Sequence, residues 1–551
     1  MPDTGTAPSP RPLLRSAGVV GLMTLLSRLT GLVVQRMIGS RLGLGDISDA
    51  YQVAYRLPNM LRRFTAEGVM TAAFLPTLVD VDAKRGGEEA GRFVSGFMGT
   101  LGAILLAICA IGVLCMTPIT GLLMLGKLSD AGIGAQLGVL WDVVLGRTGF
   151  PGNVSLAVAL GRVMFPYLLL VSVTAAMAAA LNMRGRFALA ASTNLCGNLA
   201  FIATAWLAFR VWDSPDRAAL VFACAMLLHG LVQILVLMPT FRRLGFGFGW
   251  LAKFKDPDVL MALKRMVPGI IAGGIHPINV FVSQSLASQL APGAQTVLAN
   301  SNLLGELALG LFAVSVATVS LPAMSRQASS GDMAGVRSSL AEALRGAALM
   351  VIPASVGMAV LATPIIAMIY HKGAFGAGAV AWTAATVPYQ ALGLLFIASA
   401  RISTQALNAT KDYRGPAMAA LVGFVCNVVF SLLLMKPLGT SGMALANSLA
   451  AVAGLVFQAA RLKRTLGGLP VGAVVGGWTK MCAAAALMGL AAYYGNTLLQ
   501  IHDPQHFQGT AATAWRLLPL VAVCGAMYFC LAWLFRVPEA KRMARAVLKR
   551  K

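Results

Sequence analysis

Residues 55–78 read YRLPNMLRRFTAEGVMTAAFLPTL, and the side of the membrane assigned to every later loop depends on them. Their second half is apolar enough to enter a bilayer, while the first half carries Arg56, Arg62, Arg63 and Glu67. The surrounding chain has a membrane composition. Of its 551 residues 58% are hydrophobic and 12% charged, against about a quarter charged in soluble domains. No stretch reads as an independent soluble domain. A spanning helix needs about 20 mostly apolar residues. Runs of that kind occupy 17–38, 93–124, 154–181, 188–209, 218–239, 267–290, 297–324, 341–369, 380–407, 416–435, 441–460, 471–499 and 517–535. With residues 55–78 counted, an all-α polytopic protein of about 14 spans is expected.

Loop charge decides whether 55–78 should be counted. With the N-terminus taken as cytoplasmic, that side receives Lys84, Arg85, Arg92, Arg184, Arg186, Arg242, Arg243, Lys253, Lys255, Lys264 and Arg265. Further along it receives Arg326, Arg337, Lys411, Arg414, Arg461, Lys463, Arg464 and the basic tail from Lys541 to Lys551. The opposite side holds Lys127, Arg147, Arg210, Arg217, Lys372 and Lys436. That asymmetry follows the positive-inside rule, and it fails if 55–78 does not span, because every later loop then changes sides. The same distribution answers the net charge of +24. The cations lie in short clusters between apolar runs, which excludes a nucleic-acid partner as their reason. The opening MPDTGTAPSPRP is Pro-rich and read as disordered, and the run after it as a retained span rather than a signal peptide. All eight cysteines fall in apolar runs and form no C-x-x-C pair, so packing is their expected role.

The chain repeats itself. AALNMRGRFALAASTNLCGNLAF, from Ala179, resembles QALNATKDYRGPAMAALVGFVCNVVF, from Gln405, and FLPTL (74–78) resembles SLPAM (320–324), each read as closing a span. An even number of spans separates the members, which implies two six-helix lobes in the same orientation with a site at their interface. Other motifs take plainer readings. Pro504 between His502 and His506 disfavours a helical metal pair. His276, before Pro277, reads as a satisfied histidine in a kinked span, with a proton relay as the alternative. Gly269 and Gly273 read as helix packing. GFGFG (245–249) has no strand before it and reads as a loop. No catalytic constellation, metal cluster or cofactor motif stands out, so the chain is not expected to be an enzyme.

Within 55–78, Arg63 and Glu67 are i,i+4 neighbours and are expected to form a structural ion pair. Arg62 points about 100° away and has no such acid on its own helix; Arg28, mid-span in LLSRLTGL, lacks one too. An arginine at the bilayer centre costs about 2.5–3.5 kcal/mol on insertion scales, so both are expected to face protein or a wet cavity. Two readings stay open. In one, Arg28 and Arg62 meet Asp46, Asp49 or Glu306, or cap carbonyls. In the other they line a cavity and bind an anion, for which the planar guanidinium fork suits phosphate. Glu306 and Arg401 supply charge in the second lobe, and Lys480 is positioned to snorkel.

At these residues the chain resembles the lipid II flippases of bacterial cell-wall synthesis, called MurJ or MviN, in the multidrug/oligosaccharidyl-lipid/polysaccharide exporter superfamily. The likeness is carried by SRLTG (27–31), SDAYQVAYRLPNMLRRFTAEGVMTAAFLPTL (48–78), MFPYLLL (164–170), ALN with RGRF (180–187) and LP at Leu321–Pro322. It runs from about residue 14 to 535. The resemblance implies two pseudo-symmetric six-helix lobes plus two C-terminal helices forming a groove for the lipid tail. In this sequence these are a disordered tail 1–13, an N-lobe 14–240, a C-lobe 241–465 with a cytoplasmic linker 241–266, groove helices 466–536 and a basic tail 537–551. It also implies alternating access through a cationic cavity. The substrate would be an undecaprenyl-diphosphate-linked disaccharide-pentapeptide, moved from the cytoplasmic to the periplasmic leaflet of the bacterial inner membrane. Membrane lipids and the cell-wall synthesis machinery are the further partners. By position, Arg28 and Arg62 match cavity arginines of the family, Asp49 an acid at the outer end of the first helix, Glu306 an acid in the eighth helix and Arg401 a basic position in the tenth. The chain departs from the family at Val34 and Gln35, where an arginine and an acid are usual, and at Leu303, usually a cavity arginine; Arg36 lies about 100° around the helix from Gln35. These departures leave an exporter of another polyprenyl-linked glycan or of a drug as the alternative. A membrane enzyme would need an acidic cluster on an aqueous loop, and none is visible. A purely structural role would leave Arg28 and Arg62 without a purpose beyond packing.

Overall fold

A computed structural model of the chain describes residues 10–65, 69–130, 132–211, 214–249, 252–273, 275–499 and 509–548. Twenty α-helices make up the described fold, with no named strand among the described residues. Two compact units divide it. One contains residues 1–42 and 46–277, the other 43–45 and 278–551.

The first unit begins with α1 (Pro10–Leu42), α2 (Asp46–Thr65) and α3 (Val69–Arg85). Residues 55–78 are thus carried by the end of α2 and the start of α3. Pro76, like Pro322 in the second unit, sits inside its helix rather than at its end. The LP motifs are read as closing spans, and both helices run on past them into charged extensions, so the helix ends lie beyond the expected span ends. α4 (Gly87–Leu114), the short α5 (Met116–Leu123) and α6 (Ile133–Val144) follow, then α7 (Gly152–Met164) and α8 (Tyr167–Met183), interrupted at Phe165–Pro166. α9 (Phe187–Ala208), α10 (Pro215–Arg243), α11 (Pro257–Gly273) and the start of α12 (Ile275–Ala287) complete this unit. Lipid tails are as apolar as leucine, so helices in a membrane associate by close packing. Phe74, Phe93 and Phe97 stack between α3 and α4, with centroids 4.5–6.1 Å apart. Gly112 admits the Phe165 ring, which a Cβ would meet at 2.1 Å.

Side-chain bonds show which segments share an end of this unit. Arg184, after α8, grips Asp82 of α3 with two bonds of 2.7 and 3.1 Å, and Arg85 reaches Asp258 of α11 at 2.6 Å. The backbone of Gly249 donates to Ser95 at 3.0 Å, which ties the 245–249 loop to α4. At the other end Lys127 lies 3.3 Å from Asp46, and the Arg41 guanidinium stacks on Phe209 at 4.5 Å. The loop-charge reading put Arg85, Arg184 and the 253–265 cations on one side and Lys127 on the other, and the bonds group them that way.

The second unit contains α13 (Ala294–Ser329), α14 (Met333–Val360), α15 (Ala362–Tyr370), α16 (Ala377–Ala409), α17 (Arg414–Leu466), α18 (Val471–Leu498), α19 (Thr510–Leu534) and α20 (Pro538–Leu548). The 53-residue α17 is two spans. The chain reverses near Pro437 and Gly439, whose φ is +56°, and Asn427 then meets Asn447 at 3.4 Å. α14, α18 and α19 pack through Leu349, Met481, Ala485, Met488 and Tyr528. Among the described residues ten helical stretches are, by length and composition, long and apolar enough to cross a membrane. Counting α17 twice and adding α2–α3, α11–α12 and α13 gives about fourteen passes. All eight cysteines are free.

Candidate functional site

Arg28 sits on α1 against α9. Asn198 of α9 donates its Nδ2 hydrogens to the Ser27 carbonyl at 3.0 Å and to Thr30 Oγ1 at 3.1 Å, so the turn of α1 that carries Arg28 is fixed. The Arg28 side chain is half-buried, and its Nη1 is buried with no hydrogen-bond partner among the described residues. Such a donor costs on the order of 1–3 kcal/mol, more when charged, unless an acceptor meets it.

Arg62 lies a similar number of residues from the same link between α1 and α2. Arg28 precedes the end of α1 by 14 residues, and Arg62 follows the start of α2 by 16. At about 1.5 Å per residue each is therefore some 21–24 Å along its helix from the 43–45 link. Arg62 is half-buried, its Nε is enclosed, and other groups engage the residue. The same unit contains His229, on α10. His229 belongs to a polar row inside the unit. Its Nε2 is 2.9 Å from Gln233 Nε2, which in turn donates to Asn194 Oδ1 of α9 at 2.7 Å. The ring lies edge-on to Tyr167 and over Gly197, where a Cβ would meet three ring atoms at 2.9 Å. The sequence reading missed this row; its one signal was a polar pair, His229 and Gln233, one helical turn apart in an otherwise apolar span.

The other expected site residues fall elsewhere. Asp49 is fully buried in the first turn of α2, not on the first helix, and is engaged there. Being 13 residues before Arg62, it lies about 20 Å away along the same helix. A carboxylate in a first helical turn is favoured by the free amides there, a sufficient local reason for its position. In the second unit Glu306 on α13 and Arg401 on α16 are exposed and engaged, Leu303 is half-buried and Lys480 on α18 is exposed. The side chains of Arg63, Glu67, His276, His502 and His506 lie outside the described residues. Among the described residues no three His, Cys, Asp or Glu gather as a metal site would require.

The sequence model of the family described as "Lipid II flippase MurJ" matches residues 38–507. The chain belongs to the MurJ lipid II flippase family. A probable lipid II flippase MurJ of Vibrio cholerae is 30% identical over 443 residues, 80% of this chain and 81% of that protein. The lipid II flippase MurJ of Burkholderia cenocepacia is 26% identical over 97% of this chain and all of its own length. Among solved structures, a MurJ lipid II flippase in an inward closed conformation superposes with a TM-score of 0.69, at 22% identity, over 94% of this chain and 98% of its own. An inward-facing multidrug MATE transporter reaches 0.59, at 14% identity, over 82% and 98%. The structural matches support the fold.

Asp49, Arg62, Glu306 and Arg401 fall inside the segment that matches the family model, and Arg28 precedes it. Where the family usually has an arginine, Val34 packs against the apolar cluster that holds Ile38, Leu42 and Tyr51. That turn of α1 is built for packing, which accounts for valine there. Nothing in the structure explains Gln35. Family membership leaves the drug-exporter alternative with no observation of its own.

Proposed function

We propose that this chain is a flippase that carries lipid II from the cytoplasmic to the periplasmic leaflet of the inner membrane, and that Arg28 and Arg62 bind the diphosphate. The observation that carries this reading is the buried Nη1 of Arg28, which has no hydrogen-bond partner among the described residues, with Arg62 a similar distance along the next helix. Two guanidinium forks suit the oxygens of a diphosphate, because each donates paired, charge-assisted hydrogen bonds. Asn198 and the His229–Gln233–Asn194 row hold the surrounding helices in register. Glu306 and Arg401 bring charge to the second unit, where their exposure suits contact with a polar head group. Arg63 and Glu67 form a structural pair in this reading, and Asp49 serves the outer end of α2. α18 and α19 are taken as the groove for the polyprenyl tail. Cytoplasmic ends of the chain and association with the cell-wall synthesis machinery belong to the same proposal.

Binding of lipid II to the detergent-purified protein tests it. A charge-assisted hydrogen bond contributes about 1.5–3 kcal/mol, so Arg28→Ala or Arg62→Ala is expected to weaken binding roughly ten- to hundred-fold. Lysine at either place should restore part of the loss, since a point charge lacks the fork. A well-folded double alanine variant that binds lipid II as tightly as the parent would refute the assignment.

A further inference from the structure

Helix α20 has no part in the proposed translocation, and its surroundings point to a separate ligand. Three residues, 535–537, join it to the membrane-crossing α19. Arg536 takes a left-handed conformation, φ +57°, and the turn closes with bonds from Arg536 N to Trp533 O at 3.1 Å and from Val537 N to Ala532 O at 3.0 Å. A paired helix stop of this kind turns the chain sharply. α20 then docks on the second unit. Val537 and Ala540 are buried among Tyr528, Ala532 and Met481, and the one acid of α20, Glu539, is 2.6 Å from Arg345 of α14. Arg542 pairs with Glu342 of the same helix. α14 has 28 residues, about 42 Å of helix against about 30 Å of hydrocarbon. Its surplus places Glu342 and Arg345, 9 and 12 residues from its start, near the edge of the apolar layer. The exposed Trp533 fits that level, since tryptophan favours the interface.

Among the described residues, the acids at this end are committed. Besides Glu342 and Glu539, Asp332 caps α14 through the Gly335 amide at 2.8 Å, and Asp412 holds Arg461 at 2.9 Å. The cations are not. Arg536 and Arg545 are exposed and Lys541 is half-exposed, and none of the three has an ion pair among the described residues. Arg545 lies about 120–140° around the helix from Glu539 and Ala540, so it points away from the docked face. We propose that α20 is a headgroup-binding helix whose Arg536, Lys541 and Arg545 take the phosphates of anionic phospholipids in the adjoining leaflet. Charge complementarity selects that ligand, and the three-residue link to a membrane span holds the helix where such headgroups are. The inference stands independently of the substrate reading.

Hydrogen–deuterium exchange over residues 536–548 tests it, with the full chain in nanodiscs of phosphatidylcholine alone or with one-third phosphatidylglycerol. Each juxtamembrane cation strengthens attraction to anionic lipid by about five-fold. The anionic discs are therefore expected to slow exchange in this segment at least ten-fold, and raised salt to reverse the slowing. A Lys541→Gln, Arg545→Gln variant should match the parent in phosphatidylcholine, which reports an intact dock, and should lose most of the slowing in anionic discs. Equal exchange of the parent in both discs would overturn the proposal. So would full slowing in the variant, or slowing of the parent by a soluble acidic polypeptide and not by anionic lipid.

Discussion

Arg28 shows how a single residue narrows the possible functions of a membrane helix. The sequence left two outcomes open for it, a structural acid or a cavity anion. The described residues offer its buried Nη1 no acceptor, and Asp49, one of the candidate acids, is buried at the far end of α2 from Arg62. His229 was not legible in the same way. A lone histidine in an apolar run looks like core, and only the folded α9–α10 pair reveals Gln233 and Asn194 as its partners. Gly197 makes that row possible. Gly197→Ala is expected to push the His229 ring off Gln233 and to destabilise the protein by about 1–3 kcal/mol, as overpacking does. Gly31→Ala, whose Cβ would meet Asn198 at an ordinary 3.7 Å, serves as the tolerated comparison. Thermal unfolding of the two variants in detergent checks this, and equal midpoints would contradict it.

At the level of elements, most of the helices could be read from apolar runs, and their exact ends less well. The LP motifs mark expected span ends, and α3 and α13 continue through them as helix into charged residues, because a proline removes one bond from a helix that tertiary packing already supports. The hairpin inside α17 was legible as two spans, but the bond between Asn427 and Asn447 that pins it was not. The repeat does have a physical counterpart. Asn198 and Asn427, from the two related motifs, both bind a polar group on a neighbouring helix. The docking of α20 could not be foreseen, since Arg345 and Glu539 are 194 residues apart. Their side chains are only 19% and 6% exposed, so removing one charge strands the other. Glu539→Gln is expected to cost about 3 kcal/mol, while an Arg345→Met, Glu539→Leu pair should cost less than that single change. Unfolding midpoints that fall in the opposite order would show that the pair is a surface contact only.

For the whole molecule, the topology turns on residues 55–78 acting as a span. The ion pairs Asp82–Arg184 and Arg85–Asp258 at one end of the first unit, with Lys127–Asp46 at the other, agree with the loop alternation that follows from that span. The roles of individual charges were less legible than the topology, because a charge in an apolar run looks the same in sequence whether it meets an acid, a carbonyl or a substrate. The account's central claim is that this chain moves lipid II and grips it through Arg28 and Arg62. Its most direct test is a translocation assay in proteoliposomes, with labelled lipid II in the bilayer and an impermeant reagent reading the leaflet it occupies. The parent protein is expected to move lipid II between leaflets, and the Arg28→Ala, Arg62→Ala variant, reconstituted to the same density, to leave it where it began. Lipid II that stays put with the parent, or crosses equally well with the variant, would contradict the account.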